Sequence, residues 1–251
     1  MNYKKEKNYW LQDLSKGSYL QGVLSGMGLL LMISYLFYGT FFAAIGLSPY
    51  MIFHMKSWKK KQIQKKKQEF EMQFKEAIQS ISVALNVGYS AENAMKEALV
   101  DLQLIYPKEA RIRKEFCYMI RQMEMNLTLE QILGELGERT EDEEVKLFAT
   151  IFGMAKRSGG DMIEIIRSSV WQISEKIEVK REVETLMAAK KMEFHVMSLI
   201  PFAMIGYIRL AFPEFMRVLY GNVLGVLIMS SCLGIYGLAY VWGRRIVEVE
   251  V

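Results

Sequence analysis

The densest run of side chains that could do chemistry is acidic and lies in the middle of the chain. Its six carboxylates are Glu135, Glu138, Glu141, Asp142, Glu143 and Glu144. Such a run is compatible with a solvated helix start, where negative charge suits the helix dipole, with a docking patch for a basic partner, or with a metal site. The helix start is the favoured interpretation and a metal site the least favoured. If the run is a docking patch, we expect Glu141, Asp142, Glu143 and Glu144 to form it.

A second group of candidate residues surrounds a pair of glycines. Lys156 and Arg157 precede Gly159 and Gly160, and Asp161 follows them. The glycines lack the Lys-Ser/Thr pair that would hold a nucleotide phosphate. The sequence also contains no Gly-rich phosphate loop, nucleophile elbow or His-Glu-x-x-His motif. We therefore expect neither an enzyme nor a cofactor, and we assign this group to a partner interface.

The thiols and imidazoles do not have the spacing of a metal or disulfide site. Cys117 and Cys232 lie far apart in the sequence, and no Cys-x-x-Cys or Cys/His ligand pattern occurs. His54 and His195 each lie at the edge of an apolar segment, which is typical of interfacial side chains. The sequence therefore predicts no metal and no disulfide scaffold.

A long uncharged run indicates where the chain meets a membrane. Between Lys16 and Lys56 there are 39 residues without Lys, Arg, Asp or Glu. The lysines that follow are Lys56, Lys59, Lys60, Lys61, Lys65, Lys66 and Lys67. A bilayer excludes ionised side chains, and its cytoplasmic face collects Lys and Arg. We therefore predict a membrane protein anchored by these lysines at its cytoplasmic face. The run is too long for a signal peptide, so we expect an uncleaved anchor.

The uncharged run has room for a tight hairpin of two spans. A membrane helix needs about 20 apolar residues, and the break is predicted at Tyr38-Gly39-Thr40. The spans would cover residues 20–37 and 41–55, with a kink at Pro49 in the second. Both flanks of this hairpin are basic, which favours an even number of crossings.

A second hairpin is predicted near the C-terminus, from two further apolar runs. Its spans would cover residues 194–212 and 218–243, joined by a short outer loop that contains Pro213, Glu214 and Arg217. Arg209 lies near the end of its span and is expected to snorkel toward the headgroups. Arg244 and Arg245 would hold the C-terminus inside. The predicted protein has four spans, with both termini in the cytoplasm.

The region between the two hairpins reads as helical almost throughout. Apolar residues recur at helical spacing, and no strand-like alternation occurs. Ser90, Thr128 and Asp161 are each predicted to begin a helix with a carboxylate in its first turn. Gly88 is predicted to end a helix and Pro107 to begin one. From Met162 the helical pattern runs without Gly or Pro to Pro201, which predicts one long helix that enters the third span. We predict an all-α cytoplasmic bundle of about six helices.

These spans and helices divide the sequence into five predicted segments. They are a cytoplasmic N-terminal segment (1–19), a transmembrane hairpin (20–55), a cytoplasmic helical domain (56–194), a second hairpin (195–243) and a cytoplasmic tail (244–251).

Charge is segregated along the chain, although the net charge is only +4. Residues 56–67 carry +7, whereas residues 68–194 carry 17 Lys and Arg against 23 Asp and Glu. A nucleic-acid surface would place positive charge on the folded domain itself. The basic residues belong instead to a collar at the membrane, so we expect membrane lipid and no nucleic acid among the partners.

The sequence resembles the F-domain family of type II secretion and type IV pilus platform proteins, and within it the single-domain branch of Tad (Flp) pilus assembly. Three segments carry the resemblance, which extends over residues 20–245. They are 84–90 leading to Ala94-Met95, 155–162 with its Gly-Gly pair, and the transition into a span at Leu199-Ile200-Pro201. The two flanking hairpins fit that branch as well.

The resemblance implies a non-enzymatic platform in the cytoplasmic (inner) membrane of a bacterium. Such a protein contacts a cytoplasmic hexameric secretion ATPase and helps to move pilin-like subunits from the bilayer into a pilus. Classical members carry two copies of the cytoplasmic domain, and this chain carries one. The resemblance therefore implies that a second copy of this chain or a paralogous platform protein supplies the other.

Two other function classes fit parts of the pattern. Four spans could form half of a transport permease coupled to a separate nucleotide-binding subunit, but the spans lack the convergent polar residues that transport sites need. A membrane-anchored signalling receptor is the third class, but no outer domain is predicted to sense a ligand.

Overall fold

A computed structural model of the chain describes residues 9–10, 16–46, 48–158, 162–220 and 222–247. All regular elements in that part of the chain are helices, which confirms the all-α prediction. The described residues divide into two compact units. The first, which we call the bundle unit, comprises Tyr9, Trp10 and residues 61–179, and the second, the apolar unit, comprises residues 16–60 and 180–247.

The helices follow one another with short connections. They are α1 (Lys16–Tyr38), α2 (Ala43–Gly46), α3 (Ser48–Val87), α4 (Ala91–Ile105), α5 (Arg111–Glu124), α6 (Leu129–Thr140), α7 (Glu143–Ser158), α8 (Met162–Ala211), α9 (Pro213–Leu219) and α10 (Val223–Val247).

The bundle unit forms around one apolar core to which six helices, α3 to α8, contribute. Helical spacing places one apolar face of each helix inward. Phe70 and Phe74 of α3 are stacked, and Phe74 meets Phe148 of α7 edge to face with ring centroids 5.9 Å apart. Ile166 and Ile173 of α8 are buried in the same core. This core holds in place the helix ends at which the candidate site residues lie.

Local sequence explains where the bundle helices begin and end. The Ser90 hydroxyl accepts a hydrogen bond from the Asn93 N–H at the start of α4. Thr128 and Gln131 form a reciprocal capping box at the start of α6. Gly88 closes α3 with a φ of +100°, a conformation that favours glycine. The predicted caps at Ser90 and Thr128 are confirmed, whereas Asp161 lies outside the described residues.

In the apolar unit, three of the described helices are long and apolar enough to span a membrane. They are α1 from Gly17 to Tyr38, α8 and α10. The predicted break after the first span is confirmed, because α1 ends at Tyr38 and Gly39 adopts a φ of +69°.

The predicted second span, residues 41–55, begins with a turn at residues 41–42, and its other described residues are helical. Residues 43–46 form the short helix α2, and α3 begins at Ser48 and continues through the lysines to Val87. Residue 47, between these two helical segments, lies outside the described residues. The predicted kink at Pro49 therefore stays a prediction. The four-span layout stays a prediction.

The predicted outer loop at Pro213 is also helical. Pro213 begins α9 and Glu214 lies in its first turn, so the segment has a proline and an acidic residue where a helix N-terminus favours them. The helix that precedes it, α8, continues beyond Pro201 to Ala211, and α10 begins at Val223, later than predicted.

Arg209 has partners inside the apolar unit. Its guanidinium lies 3.7 Å from the centroid of the Tyr35 ring and donates to the Tyr35 carbonyl. The Tyr220 hydroxyl donates to the carbonyl of Leu36. Both carbonyls belong to the last turn of α1, and the Tyr35 carbonyl also accepts the Gly39 N–H at 3.1 Å. Arg209 and Tyr220 therefore cap α1, a contact that the prediction of a snorkelling arginine did not include.

Candidate partner interface

The acidic run predicted as a docking patch spans the connection between α6 and α7. Thr140 ends α6, and Glu141 follows with a φ of +51° and donates its N–H to the Gly137 carbonyl at 3.0 Å. The left-handed conformation is the usual way to end a helix, although glycine or asparagine is the common residue there. The Glu141 side chain is half-buried at this turn.

Two carboxylates of the run are held within the bundle unit. Asp142 is buried, and its Oδ1 accepts from the N–H groups of Glu144 at 2.9 Å and Val145 at 3.2 Å. Asp142 is thus the N-cap of α7. Glu144 is also buried, and its Oε1 lies 2.7 Å from the Lys176 Nζ. These contacts give both side chains a structural role, as the helix-start interpretation of the run expects.

One exposed stripe of α7 connects the two groups of predicted interface residues. It consists of Glu143, Leu147, Thr150, Met154 and Arg157, all of them exposed. At 100° per residue these side chains fall within an arc of about 80°. We call this set the α7 stripe. It is acidic at its start, apolar in the middle and basic at its end.

The predicted basic pair therefore lies far from the acidic run. Lys156 and Arg157 belong to the last turn of α7, roughly 20 Å from Glu143 along the helix axis. Arg157 Nε donates to the Gly153 carbonyl at 3.0 Å, and positive charge suits this end of the helix dipole. Gly159, Gly160 and Asp161 lie outside the described residues.

The predicted membrane-face anchors lie on two helices. All seven lysines of the collar belong to α3, and Arg244 and Arg245 belong to the last turn of α10. The structure brings one of these arginines to α3, because Arg244 Nη1 donates to Ser57 Oγ at 3.2 Å.

A network around Glu115 was missed by the sequence prediction. Tyr9 donates its hydroxyl to Glu115 Oε1 at 2.8 Å, and Arg139 Nη2 lies 2.9 Å from Oε2 of the same carboxylate. The Arg111 guanidinium lies 3.7 Å from the centroid of the Tyr9 ring. Trp10 is buried beside it against Phe70, with ring centroids 5.5 Å apart. The N-terminal aromatic pair is therefore part of the bundle unit.

This environment changes the acidity of Tyr9. Burial is the largest cause and the nearby Glu115 charge the second, and together they raise the pKa of the Tyr9 hydroxyl well above its usual range. Tyr9 therefore stays protonated and keeps donating to Glu115 at neutral pH. The only sequence signal for this contact is a Tyr-Trp pair inside a charged segment, which gives no indication of its distant partner.

The described carboxylates do not gather into a metal site. Among the residues that the structure describes, no group of three or more His, Cys, Asp or Glu side chains is placed to hold a metal ion. The side chains of the α7 stripe offer ion pairing, hydrogen bonding and apolar contact.

Comparisons with known proteins identify the family. The family model described as type II secretion system (T2SS), protein F matches residues 77–208. The match covers more than half of the chain, including α4 to α7 and parts of α3 and α8. Searches of curated proteins and of solved structures find no match. Since the family match covers more than half of the chain, with most of the bundle core, the α7 stripe and most of α8, this chain belongs to the type II secretion system protein F family.

Proposed function

We propose that this chain is a platform protein in the cytoplasmic membrane of a bacterial machine that assembles Tad (Flp)-like pili or secretes protein. In this role the bundle unit binds a cytoplasmic secretion ATPase, and the membrane helices pass its motion to pilin-like subunits. Family membership, the apolar helices and the basic collar support this proposal.

Helix α8 is the observation that carries the coupling part of the proposal. It is one helix from Met162 to Ala211, with Ile166 and Ile177 buried in the bundle core and an apolar, span-like segment in its later part. Residues 186–198 between these parts are helical in the structure. Because a continuous helix transmits displacement along its axis, we infer that movement of the bundle unit is passed to the span.

The α7 stripe is the surface we assign to the ATPase. Leu147 and Met154 are exposed apolar side chains in its middle, and Glu143 adds charge for a basic partner. Asp142 and Glu144 contribute less, since they are already held by α7 and Lys176. A second copy of this chain or a paralogous platform protein would supply the second cytoplasmic domain that the resemblance implies.

Co-purification tests this proposal with the full chain. A secretion ATPase from the same genome should co-purify with the wild-type protein in detergent. With the triple variant Glu143→Lys, Leu147→Asp and Met154→Asp, most of the ATPase should no longer co-purify. The matched control on α4 is Glu92→Lys, Val100→Asp and Leu104→Asp, which also reverses one first-turn carboxylate and charges two exposed apolar positions.

The control variant should retain the ATPase. Equal loss in both variants, or no loss in the α7 variant, would show that the stripe is not the docking surface. Recovery of a transporter-type nucleotide-binding subunit in place of a secretion ATPase would favour the permease.

A further inference from the structure

We propose that the N-terminal aromatic pair, Tyr9 and Trp10, positions the start of the α7 stripe and thereby contributes to the docking surface from a distant part of the sequence. The pair precedes α1 in the chain, yet it packs in the bundle unit. This inference rests on the proposed function, because it adds positioning residues to the surface that is assigned to the ATPase.

Two helices of the bundle unit hold the N-terminal aromatic pair in one orientation. Trp10 is 3% exposed, and its ring lies 5.5 Å from that of Phe70 on α3. Arg111 of α5 lies over the Tyr9 ring, and its Nη2 donates to the Tyr9 carbonyl at 3.4 Å. The Tyr9 hydroxyl donates to Glu115 Oε1, also on α5, at 2.8 Å. The ring, the carbonyl and the hydroxyl of Tyr9 therefore each have a defined contact.

The Glu115 carboxylate connects this pair to α6. Its other oxygen, Oε2, lies 2.9 Å from Nη2 of Arg139 in the last turn of α6. Glu115 is buried, so its bonds to charged and hydroxyl donors are strong and directional. Besides Tyr9, Oε1 has Arg111 Nε at 3.7 Å, which is longer than a hydrogen bond. Loss of the Tyr9 hydroxyl therefore leaves this oxygen short of a donor and lets the carboxylate shift away from Arg139.

The last turn of α6 sets where α7 begins. A Cβ on Gly137 would lie 3.0 Å from the Lys146 side chain and 3.3 Å from the Lys146 Cα, so the two helices are in direct contact there. The Glu141 N–H donates to the Gly137 carbonyl at 3.0 Å, and Arg139 lies between these two residues. Because packed helices cannot move independently at such a contact, a shift of Arg139 also moves Glu143, the first residue of the α7 stripe.

Hydrogen exchange of the full chain in lipid nanodiscs tests the positioning role without the ATPase. Tyr9→Phe removes the donor to Glu115 and keeps the ring that packs beside Trp10. We expect the amides of residues 137–149 to exchange roughly tenfold faster than in the wild type, relative to the amides of residues 166–179 in α8. A loss that affected only the global stability of the bundle unit would leave this ratio unchanged.

A second tyrosine of the bundle unit provides the matched control. The Tyr106 hydroxyl also donates to a carboxylate, Glu76 Oε2, at 2.7 Å, but this bond joins α3 to the residue that follows α4. Tyr106→Phe therefore removes the same kind of bond without acting on α6. It should leave the ratio of exchange rates at the wild-type value.

The affinity for the secretion ATPase is the second measurement, made with the same full-length variants. Tyr9→Phe should raise the Kd of the ATPase roughly fivefold, and Tyr106→Phe should leave it unchanged. In an Arg139→Gln background, Tyr9→Phe should change the Kd by less than about twofold, because both substitutions interrupt the same series of contacts.

Three results would overturn the inference. They are an equal effect of Tyr106→Phe and Tyr9→Phe, a wild-type exchange ratio in Tyr9→Phe, and effects of Tyr9→Phe and Arg139→Gln that multiply in the double variant. Faster exchange with an unchanged Kd would also overturn it, because the pair would then only stabilise the bundle unit. If the wild-type chain binds no secretion ATPase, the proposed function fails, and the exchange ratio alone decides whether the pair positions α7.

Discussion

The bundle unit and the apolar unit use similar apolar side chains in opposite ways. In the bundle unit the large rings point inward, so that Phe70, Phe74, Phe148 and Phe152 are fully buried. In the apolar unit many of the long apolar side chains of α1, α8 and α10 are exposed, although a few, such as Phe37, are buried. Burial from water organises the first unit, whereas the second presents a surface that suits lipid. The comparison shows that each unit is folded for a different solvent.

Ion pairs between helices occur in the bundle unit, and hydroxyl-to-carbonyl bonds occur in both units. The bundle unit joins charged side chains across helices, as at Glu115 and Arg139. In the apolar unit, hydroxyls bond to helix carbonyls: Ser198 to Phe194, Ser231 to Leu227 and Tyr236 to Ser198. Lipid provides no hydrogen-bonding partners, so such groups must be satisfied within the protein.

The largest expected effect on stability comes from removing a buried ring from the bundle core. Phe148→Ala removes a ring that is 1% exposed, whereas Leu147→Ala changes its neighbour on the same helix, which is 43% exposed. We expect Phe148→Ala to lower the free energy of unfolding by about 3–5 kcal/mol and Leu147→Ala by less than about 1 kcal/mol. Chemical unfolding in lipid nanodiscs, followed by hydrogen exchange of the bundle helices, measures both. Similar losses would contradict the assigned core.

A lysine substitution at an exposed position tests whether that position faces water or lipid. Ile235 of α10 is 69% exposed and Val83 of α3 is 63% exposed. Lysine at the centre of a membrane span costs about 2.5–3.5 kcal/mol, whereas lysine on a surface in water costs little. Ile235→Lys should therefore lower the fraction of chain that resists alkaline extraction from membranes, and Val83→Lys should not. If both variants insert like wild type, α10 does not face lipid at this position.

The network at Glu115 predicts a smaller loss. Tyr9→Phe keeps the ring over Arg111 but removes the donor to Glu115, and a hydrogen bond to a charged group contributes about 1.5–3 kcal/mol. The exposed Tyr89 provides the control, and Tyr89→Phe should change stability by less than about 0.5 kcal/mol. Thermal unfolding of both full-length variants compares them, and equal shifts would argue against a bound N-terminal segment.

The same tyrosine gives stability a pH dependence. Folding raises the pKa of Tyr9, so its stabilising contribution is fully present below the ordinary tyrosine pKa of about 10 and is lost as pH rises beyond it. Wild-type stability should fall above this pH more steeply than that of Tyr9→Phe. Identical slopes in a pH series of unfolding curves would contradict the burial of Tyr9.

The smallest effect belongs to a single helix cap. Thr128→Ala removes the hydroxyl that accepts from the Gln131 N–H at the start of α6 and should cost about 1 kcal/mol. Thr128→Ser keeps the hydroxyl and should restore most of the stability. If the serine variant is as unstable as the alanine variant, the capping bond is not the cause.

Features set by neighbouring residues could be predicted from the sequence. The caps at Ser90 and Thr128, the glycine end at Gly88 and the break after Tyr38 depend on bonds within a few residues. A run of apolar residues was likewise sufficient to predict the helices that suit a membrane, except at residues 41–55. There the uncharged composition did not show the turn at residues 41–42 that precedes the helical residues.

Contacts between distant residues could not be predicted. Tyr9 and Glu115 are separated by 106 positions, and nothing in either segment specifies the other. The sequence did not show that Asp142 is the buried N-cap and that Glu143 is exposed, because both are carboxylates at the same helix start. Trp171 lies two residues before Ile173 and six before Ile177, and a two-residue step turns a helix by about 200°. Trp171 is accordingly exposed while the isoleucines are buried.

Photo-crosslinking in cells tests the central claim, that the bundle unit is the docking domain of a membrane platform, most directly. A photoreactive amino acid would replace Leu147 on the α7 stripe or, as control, Val100 on α4, both exposed apolar positions. We predict that irradiation joins a secretion ATPase to the chain labelled at position 147 and not to the chain labelled at position 100. A crosslink to the ATPase only from position 100, or to a transporter-type nucleotide-binding subunit from position 147, would contradict this account.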